Sequence, residues 1–517
     1  MNTFGKFILA GTLLATSACS QLSSVKNINT NMLSFNKQHI FDTDKTIYSS
    51  QNEIEAAAKS SDWLIWAEDP QRELWMTSLS NNKFRPKRIA TLEHGVDGLC
   101  AAPLSDSALD LFISDGDGGM HHYWLNPQSG QFHSVRSLAI YPDVERCLLN
   151  ESSLIYLDPY LGAMSIDRDP ETDTVIRTAN IAANRELIGQ LSAAAESQIL
   201  EYAVSAPRAP FPQISADLET DSVDRAGDAA DDPAIMISHK GTLWIAGTDK
   251  QQGLRVYDAQ GKQIHFLNRG RLNNVDSLAL TSERFLLSAT NRTSHSIDLF
   301  IAEPDKNLIE FISAIPLTMD DPYGLCMAKD ASGKVAIFAG DSEGLVQYWQ
   351  LNSDYLGGKM LSEYRFDSQT EGCVYNTLDH HLYVGQEDNG IWKIDPSNGN
   401  RELIEAISQG NLIADVEGLD IYYGEQSYLI ASSQGDDSYV VYQIAPWKML
   451  SKFRIGPNTD KGLDGASETD GLAVSSQGVG AYPQGILVVQ DGRNRSPAAN
   501  QNFKLIDWRK VENLLKN

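Results

Sequence analysis

A chain of 517 residues is too long for one ordinary domain, so two domains or one large repeat array is the starting expectation, and 42% apolar residues supply ample material for a packed core. With 68 Asp and Glu against 42 Lys and Arg, the formal charge is -26, which excludes a phosphate-backbone reader built on dense basic residues; nucleic acid is not an expected partner. The carboxylate excess suits either plain solubility or the holding of hard cations, since Ca²⁺ takes roughly six to eight oxygen ligands.

At the start, MNTFGKFILAGTLLATSACSQ puts Lys6 ahead of an apolar run from Phe7 to Ala15, then small residues up to Cys19. Too short for a permanent membrane helix, residues 1–18 read as a signal peptide. Thr16-Ser17-Ala18-Cys19 resembles a bacterial lipoprotein box, in which the Cys becomes the lipidated first residue; the alternative is ordinary secretory cleavage beside a chance Cys. By analogy with that class, Ser20 favours delivery to the outer membrane. An outer-membrane lipoprotein, periplasmic or surface-exposed, is expected, with 19–40 a flexible anchor segment. No later stretch approaches the ~20 unbroken apolar residues of a membrane helix.

Four further cysteines, Cys100, Cys147, Cys326 and Cys373, form two equally spaced pairs. Export permits disulfides, so Cys100 is expected to bond Cys147 and Cys326 to bond Cys373; the alternative is two pairs of small buried hydrophobes. The spacing belongs to a wider duplication. GVDGLCAAP from Gly95 recurs as DPYGLCMAK from Asp321, and ISDGDGGMHHYWL from Ile113 as FAGDSEGLVQYWQ from Phe338. Likewise ERCLLNESSLIYLDPYLGAMSID from Glu145 recurs as EGCVYNTLDHHLYVGQEDNGIWKID from Glu371, and NRELI occurs at Asn184 and Asn400. The chain thus holds two related regions, the first stopping before any counterpart of the acidic segment from Asp415 onward. Between them, NRELIGQLSAAAESQILEYAVSAPRAPFP reads as a connector with an Ala-rich helical stretch.

In the second region, short apolar or alternating runs such as TLWIAGT, RFLLSAT, KVAIFAG, HLYVGQ, SYLIASS and ILVVQD are separated by Gly, Asp, Asn and Ser. Many strands in units of roughly 40 to 50 residues, with almost no helical periodicity, predict a β-propeller rather than one sandwich. The fold class expected is all-β: a six-bladed β-propeller over 206–517, preceded by a partial, related propeller-like domain over 41–205.

Acidic residues of the second region sit where strands end: Asp228, Asp231 and Asp232 in GDAADDPA, Glu371 in SQTEG, and Glu387 and Asp388 in GQEDNG. Asp415 and Glu417 in ADVEG, Asp464, Glu468 and Asp470 in LDGASETDG, and Asp491 in QDGRN continue the series. Equivalent strand ends of a propeller converge on one rim. A ring of carboxylates there needs counter-charge, and bound divalent cations supply it. Asp beside Gly is also an ordinary turn signature, which explains any one motif better than the set. Without His-rich or Cys-rich spacings, Ca²⁺ is favoured over zinc. Lys250 in GTDKQQG, Arg292 in ATNRTS and Tyr323 in DPYG could complete a phosphate cradle, although each alone is an ordinary surface or packing residue. There is no P-loop, no G-x-S-x-G elbow, no RHG-x-R and no HC-x₅-R, which leaves metal-activated water rather than a covalent nucleophile.

The run AGDAADDPAI, GRLNNVDS, ATNR, DPYG, SQTEG, LYVGQED, DVEGLDIYYG, YLIASSQG, DGASETDGL, QDGRN and NQNFKLIDW, in this order, closely resembles the β-propeller phytases from Glu219 to about Leu515. The resemblance implies a six-bladed propeller with several Ca²⁺ ions, structural and catalytic. It also implies a 3-phytase-type phosphomonoesterase that hydrolyses phytate (myo-inositol hexakisphosphate), as its calcium complex, to lower inositol phosphates by attack of a metal-held water. Lys250, Arg292 and Tyr323 match the family's phosphate-binding residues. Glu219, Asp231, Glu371, Glu387, Asp415, Glu417 and Asp470 match acids that hold the site calcium ions or flank the attacked phosphate, with Glu387, Asp231, Glu371 and Asp415 expected to be catalytic. Asp232 with the carbonyls of Pro233 and Val275, and Asp464 with the turn Asp491 to Asn494, match structural calcium positions.

Three departures bear on substrate preference. Gly340-Asp341-Ser342-Glu343-Gly344 stands where the family often has Gly-Lys-Glu-Gly, Gln251 replaces a second Lys, and Arg493 replaces an acid of the calcium turn. The first region resembles the incomplete propeller of dual-domain members. It keeps Glu145 opposite Glu371, but Asp97 stands in the place of Tyr323 and the stretch at Glu68 and Asp69 lacks the Arg, so it is expected to be non-catalytic. A monomer is expected. The rivals are a phosphatase or phosphodiesterase acting on another substrate, and a non-catalytic propeller binding phosphorylated ligands.

Overall fold

The computed structural model describes residues 33–516 apart from 44, 70, 81–83, 159–160, 173–175, 181–183, 194–197, 201–210 and 497; the leader over 1–18 and Cys19 lie outside the described residues. Strands dominate. Arg185–Ala193, within the Ala-rich connector, and Trp508–Leu515 are α-helices. No described helix is long and apolar enough to cross a membrane.

Runs such as Leu243–Asp249 and Ile486–Asp491 are buried at every position. A strand with no wet face must be stacked between neighbours, and that is how these sheets are arranged. Among the described residues, six sheets are led by Ala230–Ile237, Leu272–Ala279, Pro322–Lys329, Thr370–Asn376, Val416–Tyr423 and Leu472–Ser475; all their pairings are antiparallel except that of Gln213–Ser215, which adds parallel to Lys448–Gly456 at the edge of the fifth. Each leading strand packs on the next, and Leu472–Ser475 packs back on Ala230–Ile237, so the leading strands close a ring.

The core is divided among the sheet interfaces. Leu287 and Phe300 of the second sheet meet Trp244 and Val256 of the first, while Val488 and Phe503 of the last sheet meet Ile245 and Tyr257 of the first across the closure. Each such side chain contributes roughly 1.5–3 kcal/mol on burial. Closure is completed by the first and last strands of the last sheet, because Leu218–Glu219, ahead of the first leading strand, pairs antiparallel with Asn502–Asp507, Glu219 opposite Lys504. The terminal helix then covers the last interface, with Trp508 stacked on Tyr422 at 3.8 Å between ring centroids. At eight residues it was too short to register as helical periodicity in the sequence.

The first region forms three four-stranded sheets led by Glu53–Ser60, Gly98–Pro103 and Cys147–Leu149, plus a three-stranded sheet starting at Leu33. Leu33 and Ile40 are buried in its core, so the end of the 19–40 stretch expected as a flexible anchor is strand. Its leading strands form an open fan. Cys100–Cys147 and Cys326–Cys373 are disulfides, with Cα–Cα distances of 5.8 and 5.5 Å; each joins the leading strands of two adjacent sheets at corresponding places of the duplication.

Candidate functional site

Five of the six leading strands carry a β-bulge at the same height, between Ala230 and Pro233, Leu272 and Val275, Pro322 and Leu325, Thr370 and Cys373, and Val416 and Leu419. One extra residue breaks the strand's alternation and re-aims a side chain. The bulged residues are Asp231-Asp232, Asn273-Asn274, Tyr323-Gly324, Glu371-Gly372 and Glu417-Gly418, so one backbone irregularity delivers a polar group from five of the six sheets. In the last three bulges glycine is needed at the second place, because a Cβ on Gly324 would collide with the carbonyl of Glu371, and one on Gly372 with that of Glu417.

Above the bulges lies a cleft of about 640 Å³ whose walls include Lys250, Tyr323, Glu371, Glu387, Asp415, Glu417 and Asp470. Carboxylate oxygens of Glu371, Glu387 and Glu417 all lie within 4.8 Å of one another. Lys250 Nζ stands 3.1 Å from Asp470 Oδ2, 3.2 Å from Asp228 Oδ1 and 3.4 Å from Asp231 Oδ1. One ammonium cannot neutralise this many acids, and the protonation states respond. Burial, then Glu417 and Asp231, holds Glu371 well above the usual carboxylate range; burial, then Asp470 and Glu387, does the same to Glu417. Burial pushes Asp231 up to about 7 in spite of Lys250, and burial with Asp415 pushes Glu387 up to about 7. Burial raises Asp470 against the pull of Lys250, and burial with Asp388 raises Asp415.

Asp231 Oδ2, Glu387 Oε1 and Glu417 Oε2 are buried without a hydrogen-bond donor, and Asp231 Oδ1 has only the Lys250 ammonium at 3.4 Å. Unsatisfied buried acceptors in an all-oxygen set are what a hard divalent cation such as Ca²⁺ would satisfy, so Asp231, Glu371, Glu387, Glu417 and Asp470 fit that group. Asp232 faces away from the cleft: its Oδ2 accepts from Val275 N at 3.0 Å.

Two expected members sit differently. Arg292 stacks over Tyr323 at 4.7 Å, but its Nε and Nη2 donate to the two oxygens of Asp321, each at 2.7 Å. Its reach to a ligand therefore depends on that clamp. Glu219, expected at the cleft, lies instead in a second cluster, where Lys504 Nζ is 2.5 Å from Glu219 Oε2, 2.5 Å from Asp464 Oδ1 and 3.0 Å from Asp491 Oδ2. The strand pairing of Glu219 with Lys504 puts it there. Asn494 is buried beside this cluster's turn, and its Oδ1 lacks a donor.

Each departing position has a structural task. Asp341 Oδ1 accepts from Glu343 N at 3.0 Å and Leu345 N at 2.8 Å, which caps its own turn. Gln251 Nε2 donates to the carbonyls of Ala226 and Asp228. Arg493 donates to Glu468 and to the carbonyl of Glu171. In the first region, Asp97 and Glu145 line a separate cavity of about 320 Å³ with Glu55, and Glu68 is a buried hub for Tyr48, Ser50, Asn52 and Trp66.

Sequence reasoning passed over Asn273. Fully buried, it donates from Nδ2 to Glu371 Oε1 at 3.2 Å and accepts on Oδ1 from Arg292 Nη1 at 3.3 Å. The signal available was the pair Asn273-Asn274 two residues before Asp276, in the register that Asp231-Asp232 occupies one sheet earlier.

Residues 182–517 match the family model described as Phytase. A 3-phytase of Bacillus subtilis (strain 168) is 35% identical over 325 residues, covering 58% of this chain and 84% of that protein. Among solved structures, a protein of unknown function from Bacteroides caccae is similar with a TM-score of 0.34 and 7% identity, over 46% of this chain and 92% of that one, too distant to carry an argument.

Proposed function

The chain belongs to the phytase family and is a phosphoric monoester hydrolase, and from that premise we propose that it releases inorganic phosphate from phytate at the carboxylate cleft, with Ca²⁺ as its cofactor. The observation that carries the reading is the convergence of Glu371, Glu387 and Glu417 oxygens within 4.8 Å of one another in the cleft that also presents Lys250 and Tyr323. Calcium, when bound, would neutralise the acids, polarise phosphoryl oxygens and activate water.

The chain's own groups do the rest. Lys250 exchanges its carboxylate partners for a phosphoryl oxygen, a charge-assisted contact. Burial holds the Tyr323 phenol above its ordinary pKa, so it stays protonated and donates to a second oxygen. Arg292, oriented by Asp321 and stacked on that ring, serves the same anion. Glu387 Oε1, a buried acceptor with no donor, takes the proton of the attacking water, and Asp415 at the cleft wall is its neighbour. Asp231, beside Lys250, keeps the ammonium in place between turnovers. An acidic protein can bind a highly anionic ester only with cations between them, which favours calcium phytate as the form taken. We further propose a monomer tethered to the outer membrane through a lipidated Cys19.

The test is phosphate release from phytate by the folded protein in calcium and in chelator, with a phosphodiester assayed in parallel. Release in calcium, lost on chelation, is the expected result. No release in either condition would sink the enzymatic reading, and diester cleavage in preference to phytate would replace it with the phosphodiesterase rival.

A further inference from the structure

The first region meets the catalytic one through several contacts, and one reaches the machinery. Asn126 Nδ2 donates to Asp460 Oδ1 at 2.7 Å, Ser496 Oγ to the carbonyl of Ser134 at 2.9 Å, and Arg454 pairs with Asp169 at 3.5 Å; none of these residues lines the cleft. Glu171 differs. It is 4% exposed, and its carboxylate accepts from Gly465 N at 3.2 Å on Oε1 and from Ser467 Oγ at 2.8 Å on Oε2. Its carbonyl accepts from Arg493 Nη1 at 2.6 Å.

The segment it grips, Asp464 to Asp470, joins the Lys504 cluster at one end to the cleft at the other, where Glu468, Asp470 and Arg493 form part of the wall. Among the described residues no strand ladder holds this segment; it precedes the leading strand Leu472–Ser475 and is fastened by single bonds, such as Glu468 N to Asp437 Oδ1 at 2.6 Å and Asp470 N to Gln490 Oε1 at 3.1 Å. Glu468 lies in the left-handed region at φ 48°, so its neighbours must hold it in an uncommon conformation.

We propose that Glu171 is a positioning residue of the catalytic cleft, supplied by the first region, which sets the Asp464–Asp470 segment and through it the Asp470 carboxylate that faces Lys250. The first region is then a working part of the enzyme. The inference rests on the cation-and-phosphate reading of that cleft.

The test uses the full chain. Glu171→Ala is expected to lower kcat on phytate about tenfold with KM little changed, and to shrink the rise in melting temperature that calcium produces. Glu171→Gln keeps an acceptor for Gly465 N and a donor that the Ser467 hydroxyl can accept, and should restore most of both. Asn126→Ala, at the interface but away from the segment, should leave kcat at the wild-type value. If Glu171→Ala does not fold, Ser467→Ala removes one of the two side-chain bonds and should cost about threefold in kcat. Wild-type kcat in both Glu171→Ala and Ser467→Ala, or an equal loss in Asn126→Ala, would overturn the proposal. A wild-type protein that responds to calcium but hydrolyses no phytate defeats the functional reading alone, since the calcium shift still decides the role of Glu171. If calcium shifts neither the wild type nor any variant, both fall.

Discussion

The Lys250 ammonium meets Asp470 Oδ2 at 3.1 Å across 220 residues of sequence, a contact between the first and the last of the ring's six sheets. It is a buried cation of the cleft, set among Asp231, Asp470 and Asp228. Removing one partner of such a buried group leaves the others uncompensated. Lys250→Met should therefore melt well below wild type in chelator and closer to it in calcium, where metal charge replaces the ammonium. It should also lose roughly 10- to 100-fold in kcat/KM, about 1.5–3 kcal/mol for a charged hydrogen bond to phosphate. Equal melting deficits in the two conditions would mean that cations do not share this charge balance.

Glu387 gives a prediction of opposite sign for stability. Its pKa of about 7 means that the ionised form is disfavoured in the cation-free cleft. Glu387→Gln removes that penalty, so in chelator at pH 8 the variant should melt at or above wild type, while the rise on adding calcium should be smaller. Turnover should fall roughly 10²- to 10⁴-fold, the range for loss of a general base. Retained turnover would place the proton acceptor elsewhere.

The ring was legible in the sequence because each carboxylate lies beside a turn or strand-end signal, and because Asp231, Glu371, Glu417 and Asp470 lie at or just before the start of the leading strand in four of the six sheets. Charge made them visible. Asn273 occupies the corresponding bulge but carries an amide, which has no charge to mark it out. Lys504 is a single basic residue inside an apolar run, and nothing local tells that Glu219 pairs opposite it. The clamp of Asp321 on Arg292 depends on which loops the ring brings together, as does the arrival of Glu171 from the other region. Composition patterns report what a residue can do; partners distant in sequence come from closure of the ring.

A pH dependence follows from Asp420, away from the cleft on strand Val416–Tyr423. Its oxygens accept from Ile421 N and, on the neighbouring leading strand, Val474 N, each at 2.7 Å, yet burial pushes its pKa up to about 7. Unfolded, an Asp titrates near 4. Between about pH 4 and 7 the folded protein then binds more protons than the unfolded chain, so this group lowers stability as pH rises through that window and has no further effect above it. The slope from one group is at most about 1.4 kcal/mol per pH unit. Asp420→Asn, which keeps an acceptor for Val474 N, should flatten the fall in urea midpoint between pH 5 and 7.5 in chelator. An unchanged slope would show that Asp420 is already ionised in the folded protein.

Asn273 joins the phosphate-binding side of the cleft to the carboxylate side, accepting from Arg292 and donating to Glu371. Asn273→Ala takes away both bonds. Glu371 Oε1 would lose a donor in a buried site, and Arg292 would keep only the Asp321 clamp, so kcat/KM should fall about tenfold, near the ~1.5 kcal/mol typical of a hydrogen bond to a charged group. Asn273→Asp separates the two roles. It keeps an acceptor for Arg292 but sets a new carboxylate against Glu371, which burial already holds above the usual range. That variant should melt lower than Asn273→Ala in chelator, recover more in calcium, and need a higher calcium concentration for half-maximal activity. If the two substitutions behave alike in both conditions, the amide's donation to Glu371 is not what this position contributes.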